Sequence, residues 1–327
     1  MPGPASSELL DVTRGGVVES RHRGSLVLLD ASGDVEVELS DVTVPIFPRS
    51  ALKPLQTVAM LAAGFTGSTQ TIALASASHL GEPVHVAGAR ATLAAAGLDE
   101  TALRCPPDLP AQPAALLAWI RDGGGPAAIC HNCSGKHAAM LATCVTAGWD
   151  TATYLDPSHP LQQVVVSHVE RLGGSPITAT SVDGCGAPAH TIPLRALGHS
   201  FARLSTADAG SPERVAADAM RAEPMLVSGT ATPVTELCLE IPGLLAKNGA
   251  EGVWAAALPD GRSFAAKVDD GSARALGPLL ATALRYWGHD GPAVRRWGAV
   301  PVLGGGRPVG VVTAAPSLLQ RLSLPPL

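Results

Sequence analysis

The sequence predicts an α+β fold in which an antiparallel sheet, built from both ends of the chain, packs with helices and carries an inserted helical lobe. Apolar and polar residues alternate over residues 17–45 and again from Lys247 onward, as they do in half-buried strands. Between these two stretches, apolar residues recur mostly at helical spacing. The two ends therefore supply strands and the middle supplies helices.

The first elements follow from local patterns. The alternation around Asp30 to Asp34 predicts a β-hairpin with a glycine turn, so two antiparallel strands are expected to open the chain. From Ser50 the segment SALKPLQTVAMLAAG is apolar on nearly all faces and predicts a buried helix that ends at Gly64. Residues 71–80 are expected to form an apolar strand or buried segment that runs into a small-residue turn.

The middle of the chain is predicted to be mostly helical. Helices are expected over about 83–96, 133–148, 160–172, 212–227 and 233–245. The proline-rich segment 106–113 is expected to be a loop, and residues 177–188 a strand that breaks into a glycine turn.

The C-terminal part returns to β-structure. We expect a hairpin about Pro259 to Gly261, a helix over about 271–287 and a last strand near 309–314. One catalytic domain is expected to span residues 1–327, with the helical lobe at roughly 83–245 between the N-terminal and C-terminal portions of the sheet.

Composition excludes several classes of protein. Hydrophobic residues make up 46% and charged residues 16% of the 327 residues, which indicates a packed globular chain. The net charge of −5, the 11 aromatic residues and the absence of a basic run argue against a nucleic-acid partner. No apolar run suits a membrane helix and the N-terminus has no signal-peptide pattern, so we expect a cytoplasmic protein without a membrane partner.

Lysine is rare in this chain, with four residues against 19 arginines. Lysine can act as a base when its pKa is lowered, whereas arginine keeps its proton. Ser50 and Lys53 stand three residues apart at the start of the predicted helix, so the amine can reach the hydroxyl. Burial in an apolar helix favours the neutral amine, which predicts a serine nucleophile with a lysine base.

Two further segments fit the same chemistry. The turn from Ser76 to His79 offers a second hydroxyl as a proton relay, and Lys247 opens a strand edge with Gly249 that a substrate can approach closely. Serine-lysine acyltransferases carry an S-x-x-K motif, a polar second motif and K-T-G in this order. The chain order therefore favours an acyl-transfer site.

The cysteines are expected to be reduced thiols. Cys130 and Cys133 form a C-x-x-C pair, which suits half of a zinc site or a redox pair. Cys133 and Lys136 place a thiol and an amine one turn apart, and Cys185 lies in a glycine turn. The remaining thiols are expected to be small buried hydrophobes: Cys105, Cys144 and Cys238.

Six segments in order resemble the L-asparaginase family of the rhizobial, thermolabile type. They are TRGGVVESRHRGSL, FPRSALKPLQ, ALASASH, HNCSGKHAAML, VDGCGAP and LLAKNGAEGV. The resemblance covers nearly the whole chain and implies a fold like that of the serine β-lactamases and glutaminases.

The resemblance also implies roles for particular residues. Ser50 corresponds to the nucleophile, Lys53 to the base and Ser78 to the second active-site serine. The implied zinc ligands are Cys133, Lys136 and Cys185, and the implied contacts to the α-carboxylate and α-amino groups of the substrate, or organisers of the site, are Arg49, Asp183 and Lys247.

We therefore expect an amidohydrolase that converts L-asparagine to L-aspartate and ammonia, with one zinc ion per chain and assembly as a homodimer. The same apparatus also suits glutamine, a β-lactam or a peptide amide. A different class, a zinc-stabilised binding protein for a small amino acid, stays open.

Overall fold

The computed structural model describes residues 6–327. Residues 1–5, part of the N-terminal segment judged to carry no signal-peptide pattern, lie outside the described residues. The described chain forms two compact units. The sheet unit comprises the described residues up to Ala51, together with Ile192–Ser205 and Glu236–Leu327. The helical unit comprises Leu52–Thr191 and Thr206–Thr235.

The bounds of the regular elements are as follows. The strands are β1 (Ser7–Arg14), β2 (Val17–Leu29), β3 (Val35–Leu39), β4 (Pro45–Ile46), β5 (Thr180–Val182), β6 (Pro188–His190), β7 (Ile192–Pro193), β8 (Leu245–Gly249), β9 (Val253–Ala257), β10 (Ser263–Val268), β11 (Ala299–Gly304) and β12 (Arg307–Ala314). The helices are α1 (Lys53–Ala62), α2 (Thr69–Ala75), α3 (Pro83–Ala95), α4 (Pro113–Arg121), α5 (Ser134–Ala147), α6 (Pro160–Gly173), α7 (Leu194–Thr206), α8 (Pro212–Ala222), α9 (Pro224–Ser228), α10 (Pro233–Glu240), α11 (Leu276–Tyr286), α12 (Pro292–Gly298) and α13 (Pro316–Arg321).

The sheet unit is organised around one antiparallel sheet of eight strands. Its order is β11-β12-β1-β2-β10-β9-β8, and β3 pairs with β2. Leu10 of β1 lies opposite Ala314 of β12, so the two ends of the chain meet in adjacent strands. Helix α11 packs on this sheet. These observations confirm the predicted α+β class with a sheet from both chain ends.

The helical unit is built on α1, which is buried along most of its length. It packs on α5, α6 and α8, while α2 and α3 both pack on α5. The unit also contains the short hairpin of β5 and β6. It starts at Leu52 rather than near residue 83, and it lacks residues 192–205, which belong to the sheet unit.

Several sequence expectations are met. The strands β2 and β3 pair on either side of the Asp30 turn, with Leu29 opposite Val35. Helices α3, α5 and α6 lie within about two residues of their predicted bounds, and α5 ends at Gly148 in the left-handed conformation.

Other expectations are wrong. Residues 69–75 form helix α2, capped by the Ser68 hydroxyl, so residues 71–80 begin as the buried segment expected there and not as a strand. The strand β1 precedes the predicted opening hairpin. The predicted hairpin about Pro259 to Gly261 is confirmed, since β9 and β10 pair there, but β8 is an additional strand that pairs with β9 across a turn at Ala250 to Gly252. Among the described residues, no helix combines the length and apolar character needed to span a membrane.

Candidate active site

Ser50 lies in a 3-10 turn, Arg49–Leu52, that directly precedes α1. Arg49 has a φ of 54°, which non-glycine residues seldom adopt and which stores backbone strain beside the candidate nucleophile. A Cβ atom at Gly249 of β8 would lie 2.1 Å from the Pro48 carbonyl oxygen. Only glycine therefore allows β8 to approach the chain segment that carries Ser50.

Lys247 lies on the same strand, two residues before Gly249. Its side chain is fully buried, and its Nζ donates to the Asn248 carbonyl oxygen at 2.9 Å. The sheet unit thus brings β8 beside the Ser50 turn, as the predicted strand edge requires.

Lys53 is the first residue of α1 and is 2% exposed. Its Nζ donates to the Ser78 hydroxyl at 3.0 Å and to the Ala77 carbonyl oxygen at 2.5 Å. Pro54 follows at the start of the helix, where its missing N–H costs nothing. The structure therefore joins the candidate base to the candidate relay.

The two serines of the second motif have different surroundings. The Ser76 hydroxyl donates to Thr57 Oγ1 at 2.8 Å, which ties the loop to α1. The backbone N–H of Ser78 donates to the Val227 carbonyl oxygen at 2.9 Å, and its hydroxyl accepts from Lys53. Ser78, and not Ser76, is therefore the hydroxyl at the lysine amine.

His79, which the sequence analysis did not single out, links this loop to α5. Its Nδ1 accepts the Gly81 N–H, so Nε2 carries the proton and donates to the Ser134 hydroxyl at 3.0 Å. Burial first, then the charges of His85 and Lys53, hold the pKa of His79 well below its usual value. The sequence signal that could have identified His79 is its place directly after the Ser76–Ser78 turn and before the segment Cys133–Lys136.

The candidate metal ligands come from two elements of the helical unit. Cys133 directly precedes α5 and Lys136 lies in its first turn, while Cys185 lies in the turn between β5 and β6. All three are buried. Lys136 Nζ donates to Cys185 Sγ at 3.2 Å. The structure therefore brings together residues that are 49 positions apart in the sequence.

Charges within this cluster stabilise one another. A hydrogen bond from Cys185, followed by the charges of Lys53 and Lys136, holds the pKa of Cys133 well below its usual value despite burial. Burial disfavours the charged form of Lys136, but attraction to Cys185 and Cys133 outweighs it and raises the pKa of the amine. These contacts favour the thiolate form of Cys133.

Asp183 lies beside the cluster at the start of the same turn as Cys185. Its backbone N–H donates to the Ala187 carbonyl oxygen at 2.8 Å, and its carboxylate accepts the Gly184 N–H at 2.7 Å. Its charge adds to the raised pKa of Lys136. Gly186 closes the turn at a φ of 85°.

The donor set is compatible with zinc, because two thiols and one amine are ligands for a borderline-soft cation. Among residues 6–327 there is no group of three or more histidine, cysteine or acidic side chains arranged for a metal ion, so a metal ion with three protein ligands at this cluster would need the Lys136 amine as one of them. Burial raises the pKa of Cys130 to about 11, and its charged neighbours are Arg90, Glu100 and Asp108. Its surroundings are therefore those of a buried neutral thiol rather than of the cluster.

The predicted site residues are divided between the two units. Arg49, Ser50 and Lys247 belong to the sheet unit. The others belong to the helical unit: Lys53, Ser78, Cys133, Lys136, Asp183 and Cys185. The boundary between the units falls between Ser50 and Lys53.

Comparisons with known proteins gave one extended family match. The model of the family described as L-asparaginase II matches residues 10–314. A search of curated proteins gave no match.

Solved structures of Mglu resemble the chain more distantly. One is 17% identical over 82% of this chain and 68% of Mglu, with a TM-score of 0.45. The native form is 16% identical over 83% and 66%, again at 0.45. The form with Tris and glutamate is 15% identical over 87% and 63%, at 0.44.

Proposed function

The chain belongs to the L-asparaginase II family, and from this premise we propose that it hydrolyses the side-chain amide of L-asparagine through an acyl-enzyme on Ser50. Family membership supports amidohydrolase activity. The observation that carries the mechanism is the buried amine of Lys53, bonded to the Ser78 hydroxyl at 3.0 Å. A buried lysine at a hydroxyl is suited to proton transfer.

In the proposed reaction, Ser50 Oγ attacks the amide carbon while Lys53 takes the hydroxyl proton. The proton passes through Ser78 to the leaving nitrogen, the C–N bond breaks and ammonia departs. Lys53 then removes a proton from water, which attacks the ester carbon. The bond to Ser50 Oγ breaks, Lys53 returns the proton to that oxygen, and L-aspartate is released. The lysine and the serine are thereby restored.

Backbone N–H groups of Ser50 and Ala250 are proposed to hold the oxyanion. The support is the close approach of Gly249 to the segment containing Pro48 and Ala51, which brings the end of β8 beside the Ser50 turn. Following the family resemblance, Arg49, Lys247 and Asp183 are proposed to bind or organise the α-carboxylate and α-amino groups of the substrate.

Cys133, Lys136 and Cys185 are proposed to hold one zinc ion. The support is their burial and the contact of the Lys136 amine with the Cys185 sulfur. A bound zinc ion would supply a fixed positive charge. It would be held by two residues at the start of α5 and one in the turn between β5 and β6. Binding requires the amine to lose its proton to solvent.

The test is ammonia release by the purified full-length protein, with L-asparagine and L-glutamine assayed side by side. L-Asparagine is expected to be preferred. Ser50→Ala is expected to lower kcat by at least about 10³-fold, because the acyl-enzyme no longer forms. Circular dichroism and thermal unfolding check that this variant is folded. A folded Ser50→Ala protein with wild-type turnover would overturn the mechanism.

A further inference from the structure

His137 is the residue after Lys136 on α5, and its side chain is fully buried. Its Nδ1 lies 2.7 Å from the Tyr154 hydroxyl, and the two rings meet edge to face with centroids 5.7 Å apart. Tyr154 is also fully buried. Neither residue has a part in the reaction proposed above, although both lie within the helical unit that holds the thiol cluster.

Counting protons fixes the tautomer of His137. The Tyr154 hydroxyl oxygen accepts the backbone N–H of Arg104 at 3.1 Å. The single hydroxyl hydrogen of Tyr154 then has His137 Nδ1 as its acceptor. Because Nδ1 accepts this hydrogen, the one hydrogen of the neutral imidazole lies on Nε2.

The Nε2–H group of His137 is buried and has no hydrogen-bond partner of suitable geometry among the described residues. The Cys185 side chain lies within hydrogen-bonding reach of this imidazole. A buried donor without an acceptor is costly, and a thiolate or metal-bound sulfur is an acceptor that removes this cost. The sulfur of Cys185 is therefore the acceptor that we infer for this donor.

We propose that Tyr154 and His137 form a hydrogen-bond relay that orients Cys185, with Tyr154 O–H donating to Nδ1 and Nε2–H of His137 donating to the Cys185 sulfur. Both are positioning residues that act through the cysteine. The functional meaning of the relay rests on the proposed metal site. Groups that hold a metal ligand in this way typically change metal affinity by about 10- to 100-fold when they are removed.

The first experiment measures zinc affinity of the full-length protein by competition with a chromophoric chelator. His137→Leu is expected to weaken binding by about 10- to 100-fold, and Tyr154→Phe by about 10-fold. His137→Gln is expected to recover most of the affinity, because the glutamine amide places an N–H donor near the position of Nε2. If His137→Leu or Tyr154→Phe binds zinc as tightly as the wild type, the relay is wrong.

The matched control is His159→Leu. His159 is also a buried histidine with an edge-on aromatic partner, Trp149, but its two ring nitrogens bond to Asp150 O and the Leu161 N–H. Its loss is expected to lower thermal stability and leave zinc affinity within about twofold of the wild type. Equal losses of zinc affinity in His159→Leu and His137→Leu would show a general effect of destabilisation and overturn the relay.

A second readout needs no metal and stays informative if His137→Leu does not fold. Histidine ¹⁵N NMR of the metal-free chain should show His137 protonated at Nε2 and unprotonated at Nδ1. Cys185→Ala should shift the Nε2–H signal, and Tyr154→Phe the Nδ1 signal.

The outcomes distinguish failure of the relay from failure of the metal site. A wild-type chain that shows these signals but binds no zinc refutes the metal site and keeps the relay. A chain that binds zinc with His137 protonated at Nδ1 refutes the relay and keeps the metal site.

Discussion

Two lysines of the helical unit share a setting and differ in their partners. Lys53 and Lys136 both lie in the first turn of a helix, and each is 2% exposed. The Lys53 amine donates to two uncharged oxygens, those of Ala77 and Ser78. The Lys136 amine donates to the Cys185 sulfur, and burial lowers its pKa less than sulfur charges raise it.

The difference shows that burial alone does not decide what a lysine does. The Lys53 amine contacts a hydroxyl that can relay a proton, whereas attraction to Cys185 and Cys133 outweighs burial and raises the pKa of the Lys136 amine. Both amines affect Cys133: after the hydrogen bond from Cys185, their charges help to hold the pKa of its thiol well below the usual value. The same residue type is thus proposed as a base at one position and as a metal ligand at the other.

The largest effect is expected for Lys53→Arg, which keeps the charge but cannot release a proton. We expect kcat for ammonia release from L-asparagine to fall by about 10²- to 10⁴-fold, nearly as far as in Lys53→Ala. The control is Lys267→Arg, because Lys267 lies on β10 and donates to the Val268 carbonyl oxygen. Substantial activity in Lys53→Arg would make Lys53 a positioning cation.

The proposed metal site at Cys133, Lys136 and Cys185 is tested by measuring the metal content of the purified protein. Purified wild-type protein is expected to carry about one zinc ion per chain, which Cys133→Ala and Cys185→Ala should lose. Cys130→Ala is the matched control and should keep the metal, because its thiol lies in different surroundings.

Lys136→Ala should weaken zinc binding without changing either thiol. Zinc that is lost in Cys130→Ala but kept in Lys136→Ala would contradict the assignment and restore a C-x-x-C site.

A smaller effect is expected at Ser78. Ser78→Ala removes the relay but leaves the Ala77 carbonyl to hold the Lys53 amine, so we expect kcat to fall by about 10- to 100-fold. Ser76→Ala serves as the control, because that hydroxyl bonds to Thr57. Equal losses in both variants would mean that loop structure, and not proton relay, accounts for the change.

The smallest effect concerns acid stability. Burial lowers the pKa of both His79 and His85, whose rings stack 4.9 Å apart beside the Ser78 loop. Below a pH of about 6.5 these histidines are protonated in the unfolded chain but stay neutral in the folded chain. The free energy of unfolding should therefore fall as the pH is lowered, until the folded histidines are protonated too. Urea unfolding at several pH values measures this decline, and His85→Gln should reduce it. An unchanged slope in that variant would exclude His85 as a contributor.

Prediction from the sequence succeeded where the signal is local. The Asp30 hairpin and helix α5 are marked by turn residues and by a terminal glycine. Strand β1 was missed although it pairs with β2 next to it in the chain, because register shifts between Glu8 and Leu10 and between Val12 and Thr13 interrupt its pairing. For helix α2 the choice between a strand and another buried segment stayed open, because a short buried helix is apolar without a clear period.

The same division holds for the candidate site. The proximity of Ser50 to Lys53 and of Cys133 to Lys136 can be predicted from the sequence, because residues three apart lie within about one helical turn of each other. The contact of Lys53 with Ser78 joins residues 25 positions apart, and that of Lys136 with Cys185 joins residues 49 positions apart. The order of the motifs identified Ser78 and Cys185 as candidate residues but did not predict which atoms they contact. Only the packing of loops on helices brings their atoms within hydrogen-bond distance, because a helical repeat fixes neighbours along one element and tertiary packing fixes neighbours between elements.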